Sequence, residues 1–106
     1  MKKIECIIRQ EKLKELAEDL RLAGIAGLTA TEIKGFGKET TRPENYLFLP
    51  KTKIEIYLAD GQVEEIIATI IKACQEDKFG SGKIVVLPME ECIRIRTNER
   101  GENALF

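Results

Sequence analysis

The residues Asp77-Lys78-Phe79-Gly80-Ser81-Gly82-Lys83 combine the side-chain types that can grip an anion. Glycines on either side of a serine let the backbone visit positive φ, where successive N–H groups turn inward as an anion-binding nest, and Lys83 adds a positive charge at its rim. A phosphate fits such a cradle. The same glycines also suit a purely mechanical turn between two elements, and both readings stay open at this point. The stretch is no Walker loop: the first glycine of that motif is missing, and Ile84 stands where a Ser or Thr would hold magnesium.

Arg94 and Arg96, two apart in Glu91-Cys92-Ile93-Arg94-Ile95-Arg96, read as strand residues projecting to one face, and guanidinium forks suit phosphate oxygens. The plainer alternative is a pair of solvated charges set against Glu90 and Glu91. Taken with Gly80-Ser81-Gly82-Lys83, they give a nest, a lysine and two arginines expected at one end of a sheet, which points to an anionic ligand such as a nucleotide. Lys38, just past Gly35-Phe36-Gly37, can approach from a loop. The carboxylates lie mostly on helix faces, and Glu64-Glu65 reads as a solvated face rather than an acid/base dyad.

The elements that must position these residues follow from periodicity. Ile4, Cys6 and Ile8 alternate with Glu5, Ile7 and Arg9 in a first strand, expected to be central. Leu13, Leu16, Ala17, Leu20 and Ala23 form the apolar stripe of a helix from Lys12 to Ala23, which Gly24-Ile25-Ala26-Gly27 ends. A second strand covers Leu28 to Ile33, and a polar exposed loop of functional length runs from Lys34 to Pro50. The third strand spans Lys51 to Asp60. Val63, Ile66, Ile67, Ile70, Ile71 and Cys74 mark a second helix from Gln62 to Gln75, and Ile84-Val85-Val86-Leu87 a fourth strand from Lys83. Two βαβ units in succession predict an α+β, ferredoxin-like βαββαβ sandwich with a short fifth strand at 91–96. Helices cover one sheet face, leaving Ile7, Ile33 and Tyr57 among charges on the other. That face is expected to be covered by other copies in a closed oligomer.

Composition bounds the class. The chain has 106 residues, enough for one domain spanning 1–106, with 43% hydrophobic and 33% charged residues. A formal net charge of −1 argues against a nucleic-acid or membrane-surface binder. No stretch approaches the roughly eighteen apolar residues of a membrane span, and the start lacks a signal-peptide core, so a cytoplasmic protein is expected. Three cysteines, Cys6, Cys74 and Cys92, sit in apolar patterns that suit reduced, buried thiols. With no histidine, the commonest metal ligand and general base are missing, which argues against a zinc site or a Ser-His or Cys-His mechanism.

Lys2-Lys3-Ile4-Glu5, Thr29-Ala30-Thr31-Glu32-Ile33-Lys34-Gly35-Phe36-Gly37, Phe48-Leu49-Pro50-Lys51-Thr52-Lys53-Ile54-Glu55, Gly80-Ser81-Gly82-Lys83-Ile84 and Ile93-Arg94-Ile95-Arg96-Thr97 with Glu99-Arg100-Gly101 together resemble the PII nitrogen-regulatory signal-transduction proteins. The resemblance spans nearly the whole chain in order. It implies a homotrimer binding adenine nucleotides (ADP, ATP or AMP, with magnesium as an option beside ATP) in clefts between subunits, and signalling to a protein partner, a transporter or metabolic enzyme, through residues 38–50. It places Gly80, Ser81, Gly82 and Lys83 on the phosphates and brings Arg94 and Arg96 to them from the C-terminal arm. Gly27, Thr29 and Tyr57 then surround adenine and ribose, while Gly35, Phe36, Gly37 and Lys38 join the pocket at the signalling-loop base. Lys51 matches a lysine that pairs with a carboxylate of 2-oxoglutarate. Glu39 stands where the family has a glutamine that helps hold magnesium and that oxo-acid; a carboxylate there still suits magnesium but repels the oxo-acid. The signalling loop is shorter than the family pattern, and the tyrosine that uridylylating enzymes modify is missing from it, Tyr46 lying too near the following strand. Two other functions stay in view: an oligomerisation module without a small ligand, and a small phosphatase-type enzyme, for which no general base stands beside the nest.

Overall fold

A computed structural model describes residues 1–38 and 48–106. The order of elements is β1 (Lys2–Ile8), α1 (Leu13–Leu22), β2 (Thr29–Gly35), β3 (Leu49–Leu58), α2 (Val63–Cys74) and β4 (Lys83–Pro88). The strands form one antiparallel sheet ordered β2-β3-β1-β4, so β1 is central as its unbroken apolar alternation implies.

Side-chain period 2 sorts the sheet into two faces. Ile4, Cys6 and Ile8 of β1 lie opposite Ile56, Ile54 and Thr52 of β3, and all six are at most 1% exposed beneath the helices. Leu16 and Leu20 of α1 and Val63, Ile66, Ile70 and Cys74 of α2 close over them. The stripes at i, i+3 and i+4 put these side chains on one helix face, and burial of each fully covered Leu or Ile contributes about 1.5–3 kcal/mol.

The helix ends follow local chemistry. Gly24 takes φ +96 after α1, where its N–H bonds to the Arg21 carbonyl while the N–H of Ile25 reaches Leu20, a Schellman closure. Before α2, the Gln62 side-chain oxygen accepts the N–H of Ala59 at 3.1 Å. The opposite sheet face carries Lys3, Glu5, Lys53 and Glu55 in a ladder, with Lys3 to Glu5 at 2.9 Å and Lys53 to Glu55 at 3.3 Å. Ile7 and Ile33 are half-buried there, and Tyr57 is 46% exposed.

Two expectations change. The segment at 91–96 is no fifth strand: it makes a single bridge, Ile93 to Arg100, and turns back on itself outside the sheet. Alternation alone sets no partner, and here nearby side chains close a turn before a ladder forms. Strands β2 and β3 are also longer toward their connection than expected, because Lys34 pairs with Pro50 and Gly35 with Leu49. The rest of the expected loop, including Glu39 and Tyr46, lies outside the described residues.

Candidate functional site

The C-terminal end of β1 sets the site. Antiparallel pairing brings the start of β4 beside it, with Lys83 opposite Ile7, and the last residues of β2 beside the first of β3. The chain therefore delivers the glycine turn 80–82 and the segment 35–38 to one end of the sheet. Between them lies a cleft of about 600 Å³, within the range of small-ligand pockets. Gly35, Phe36, Gly37, Lys38, Lys51, Gly80, Ser81, Gly82 and Lys83 line it, joined by Ile7, Leu49, Lys78 and Phe79.

Among the described residues, four lysines and no carboxylate face this space. Charges of one sign over low-dielectric walls concentrate anions. Gly80 and Gly82 both take positive φ, +92 and +113, as a nest of inward N–H groups requires. The Ser81 hydroxyl helps to hold the turn, donating 2.9 Å from the Glu76 carbonyl and 3.0 Å from that of Lys78. Lys51 reaches across to donate to the Gly80 carbonyl at 3.3 Å, so β3 and the glycine turn are already tied. Arg9 adds a bond to the Phe79 carbonyl at 2.8 Å. Behind the turn, hydrogen bonds from Lys78 and then Lys12 hold the Glu76 carboxyl below its ordinary range. Phe36, 61% exposed, meets Phe48 edge to face with centroids 5.6 Å apart at the rim, and Phe79 is 62% exposed.

The remaining candidates lie elsewhere. Thr29 stands opposite Glu55 and Tyr57 opposite Lys3, so both are at the far end of the sheet, and Gly27 precedes Thr29 there. From Gly35 to Thr29 the strand covers roughly 20 Å at its usual rise per residue. Arg94 and Arg96 follow β4, which runs from the cleft to that same far end, where the N–H of Met89 bonds to the Met1 carbonyl. Their expected place beside Gly80-Ser81-Gly82-Lys83 is thus corrected: an extended strand separates them within one chain.

The two arginines also differ from each other. Arg94 ion-pairs with Glu99 and donates to the Asn103 carbonyl at 3.1 Å, while Arg96 is exposed and makes no hydrogen bond or ion pair among the described residues. A hydrogen bond from the Thr97 hydroxyl at 2.8 Å, reinforced by Arg94, holds the Glu99 carboxyl below its ordinary range.

Lys78 and Phe79 were legible as part of the glycine-rich connection; Ile7 and Leu49 needed the strand register. Among the described residues there is no cluster of three or more metal-ligating side chains, and no helix long and apolar enough to cross a membrane.

The family model of the nitrogen regulatory protein P-II matches residues 1–99. The chain belongs to the P-II family. Among its P-II relatives, the nitrogen regulatory protein P-II of Cereibacter sphaeroides is 49% identical over 112 residues, covering 99% of this chain and all of that one. That of Azospirillum brasilense is 46% identical over the same length and coverage. The fold matches the crystal structure of Arabidopsis thaliana PII bound to citrate with a TM-score of 0.84 and 38% identity, over 98% of this chain and 88% of the other. Membership makes this P-II protein a regulator of nitrogen-related signalling, and the ferredoxin-like architecture expected from its strand and helix order is that of its structural relative.

Proposed function

We propose that this P-II family member senses adenine nucleotides and conveys the result to a partner protein through the segment between Lys38 and Pro50. The observation that carries the reading is the cleft itself, in which four lysines and a glycine turn with positive φ, and no acidic residue among the described ones, face the space. That chemistry suits the phosphates of ADP or ATP, with magnesium accompanying ATP where Glu39 or a phosphate supplies oxygen ligands. A solved relative holds citrate, another polyanion.

One chain offers only half of the expected site. The cleft end and the end bearing Gly27, Thr29, Tyr57, Arg94 and Arg96 meet when a second copy packs alongside, which suits a homotrimer with a nucleotide between each pair of subunits. The half-apolar sheet face with Ile7, Ile33 and Tyr57 gives such an assembly surface to bury. The ligand then acts by population shift, through different affinities for two arrangements of the loop joining β2 to β3. Lys51, tied to Gly80, sits where an oxo-acid carboxylate would compete for it. A regulator of this kind needs no catalytic base, and the reading is of a binding protein rather than an enzyme.

Isothermal titration with ADP and ATP tests it. The expected result is micromolar or tighter binding by the wild type, weakened by roughly tenfold or more in Lys83→Ala, the effect of removing one charge-assisted contact. No binding by the wild type overturns the reading in favour of an oligomerisation module.

A further inference from the structure

We infer that Glu76 sets how much charge the cleft asks of its ligand: by drawing Lys78 to itself it holds one of the four lysines in reserve, for a triphosphate to take up more readily than a diphosphate. Glu76 is thus a specificity-determining residue that touches no ligand itself. This rests on the nucleotide reading above, in which the cleft holds phosphates.

The observation is one carboxylate shared by two cations, only one of which lines the cleft. Lys78 lines it, and its Nζ lies 2.8 Å from Oε2 of Glu76. Lys12, just before α1 and outside the cleft lining, lies 3.3 Å from the other oxygen, Oε1. The Lys78 side chain is 58% exposed, against 27% for Glu76 and 25% for Lys12, so the outermost member of the trio is the one beside the ligand space. An exposed ion pair contributes little, because water screens it and a long side chain loses freedom in holding it. A polyphosphate offers Lys78 several charged oxygens in place of one carboxylate oxygen, and the exchange grows more favourable with the charge of the ligand. Glu76 is not stranded when Lys78 leaves, since Oε1 keeps Lys12.

The cradle does not depend on this carboxylate. Ser81 donates to the backbone carbonyls of Glu76 and Lys78, while Lys51 and Arg9 donate to those of Gly80 and Phe79. Glu76→Gln therefore removes the charge that restrains Lys78 and leaves these bonds in place.

The test is titration with ADP and with ATP in the presence of EDTA, so that the extra phosphate of ATP carries its charge unmasked. Each variant is first checked by circular dichroism and by mass for fold and assembly. Glu76→Gln is expected to tighten ATP by about two- to fivefold, the size of an exposed ion pair, and ADP by less. The gain should shrink as salt rises. A carboxylate that merely braced the turn would give the opposite sign, a loss. Lys78→Met should weaken ATP more than ADP, and in that background Glu76→Gln should recover little of its gain. Unchanged or weaker ATP binding in Glu76→Gln overturns the inference, as does an equal gain for ADP and ATP. A full gain that persists in Lys78→Met overturns it too, because Glu76 would then act without Lys78. Lys83→Ala, measured alongside, separates the two readings: if it binds both nucleotides as the wild type does, the cleft is not the phosphate site; if it binds them weakly, only the role of Glu76 fails.

Discussion

A Cβ built on Gly82 would stand 1.9 Å from the carbonyl oxygen of Ile7. The turn that opens β4 therefore presses against the end of β1 at a distance no side chain allows, and Gly82 holds φ +113, which other residues rarely adopt. The glycine serves packing as well as any ligand, so both readings of the turn apply to the same residue.

Gly82→Ala is accordingly expected to destabilise the fold by about 2–4 kcal/mol, combining left-handed strain with displacement of backbone. Gly24→Ala is the control. Gly24 has φ +96 but nothing within 4 Å of a Cβ, so only the conformational cost of about 1 kcal/mol applies. Urea melts of both variants check the difference. Equal losses would show that the contact with Ile7 yields without cost.

Acid stability should depend on Asp60. Its carboxyl is held below the ordinary range by a hydrogen bond from the amino terminus at 2.8 Å and then by the charge of Lys2. A depressed carboxyl contributes stability above its unfolded pKa of about 3.9 and loses it as pH falls through the folded value. Asp60→Asn should therefore melt below the wild type at neutral pH, with the gap closing as pH drops past about 4. The pair is exposed, so the gap also shrinks at high salt. A gap that stays constant with pH would mean that the pair contributes nothing through charge.

Thiol chemistry separates the cysteines. Burial pushes the Cys6 thiol up to about 12, and burial raises that of Cys74 as well; the two are 1% and 6% exposed. Thiolate is the reactive form, so both should resist maleimide in the native state, while the partly exposed Cys92 is modified first. A mass-spectrometric time course should show one early adduct and two late ones, all three becoming fast in urea. Early modification of Cys6 would imply that the core opens locally far more often than its packing suggests.

Much of this fold was legible because its periods are clean. The alternation of Ile4, Cys6 and Ile8 marks a strand and its buried face, and Leu16 and Leu20 mark the inward stripe of α1. The same logic misplaces Ile93 and Ile95. They alternate as a strand would, but Ile95 is almost fully exposed, because capture of Arg94 by Glu99 and the left-handed Asn98 fold the segment onto itself. Pattern does not report which side chain captures which. For the site, spacing identified the glycine turn and the residues after β2, yet their meeting depends on the order β2-β3-β1-β4. The far placement of Thr29, Tyr57 and the arginines follows from strand direction, which one chain's periodicity does not reveal.

The edge strand β2 carries Gly35 to Lys38 into the cleft, and its attachment depends on Glu32. The Thr52 hydroxyl, on a side chain with no exposure, donates to one oxygen of Glu32 at 3.0 Å, and Gln10 donates to the other. One carboxylate thus joins β2 to β3 and to the segment before α1. Thr52→Val keeps the volume but removes the donor, and should cost about 1–2 kcal/mol, near the value of a hydrogen bond to a charged group. Glu32→Ala should cost a similar amount, and the double variant less than the sum, because both remove the same bond. The loosening should be local, since the β1 to β3 pairing does not pass through Glu32. Hydrogen exchange checks it: amides of 29–35 should exchange faster in Thr52→Val, while those of β1 keep their protection. Uniform acceleration across the sheet would show that Glu32 supports the whole core rather than the strand that frames the cleft.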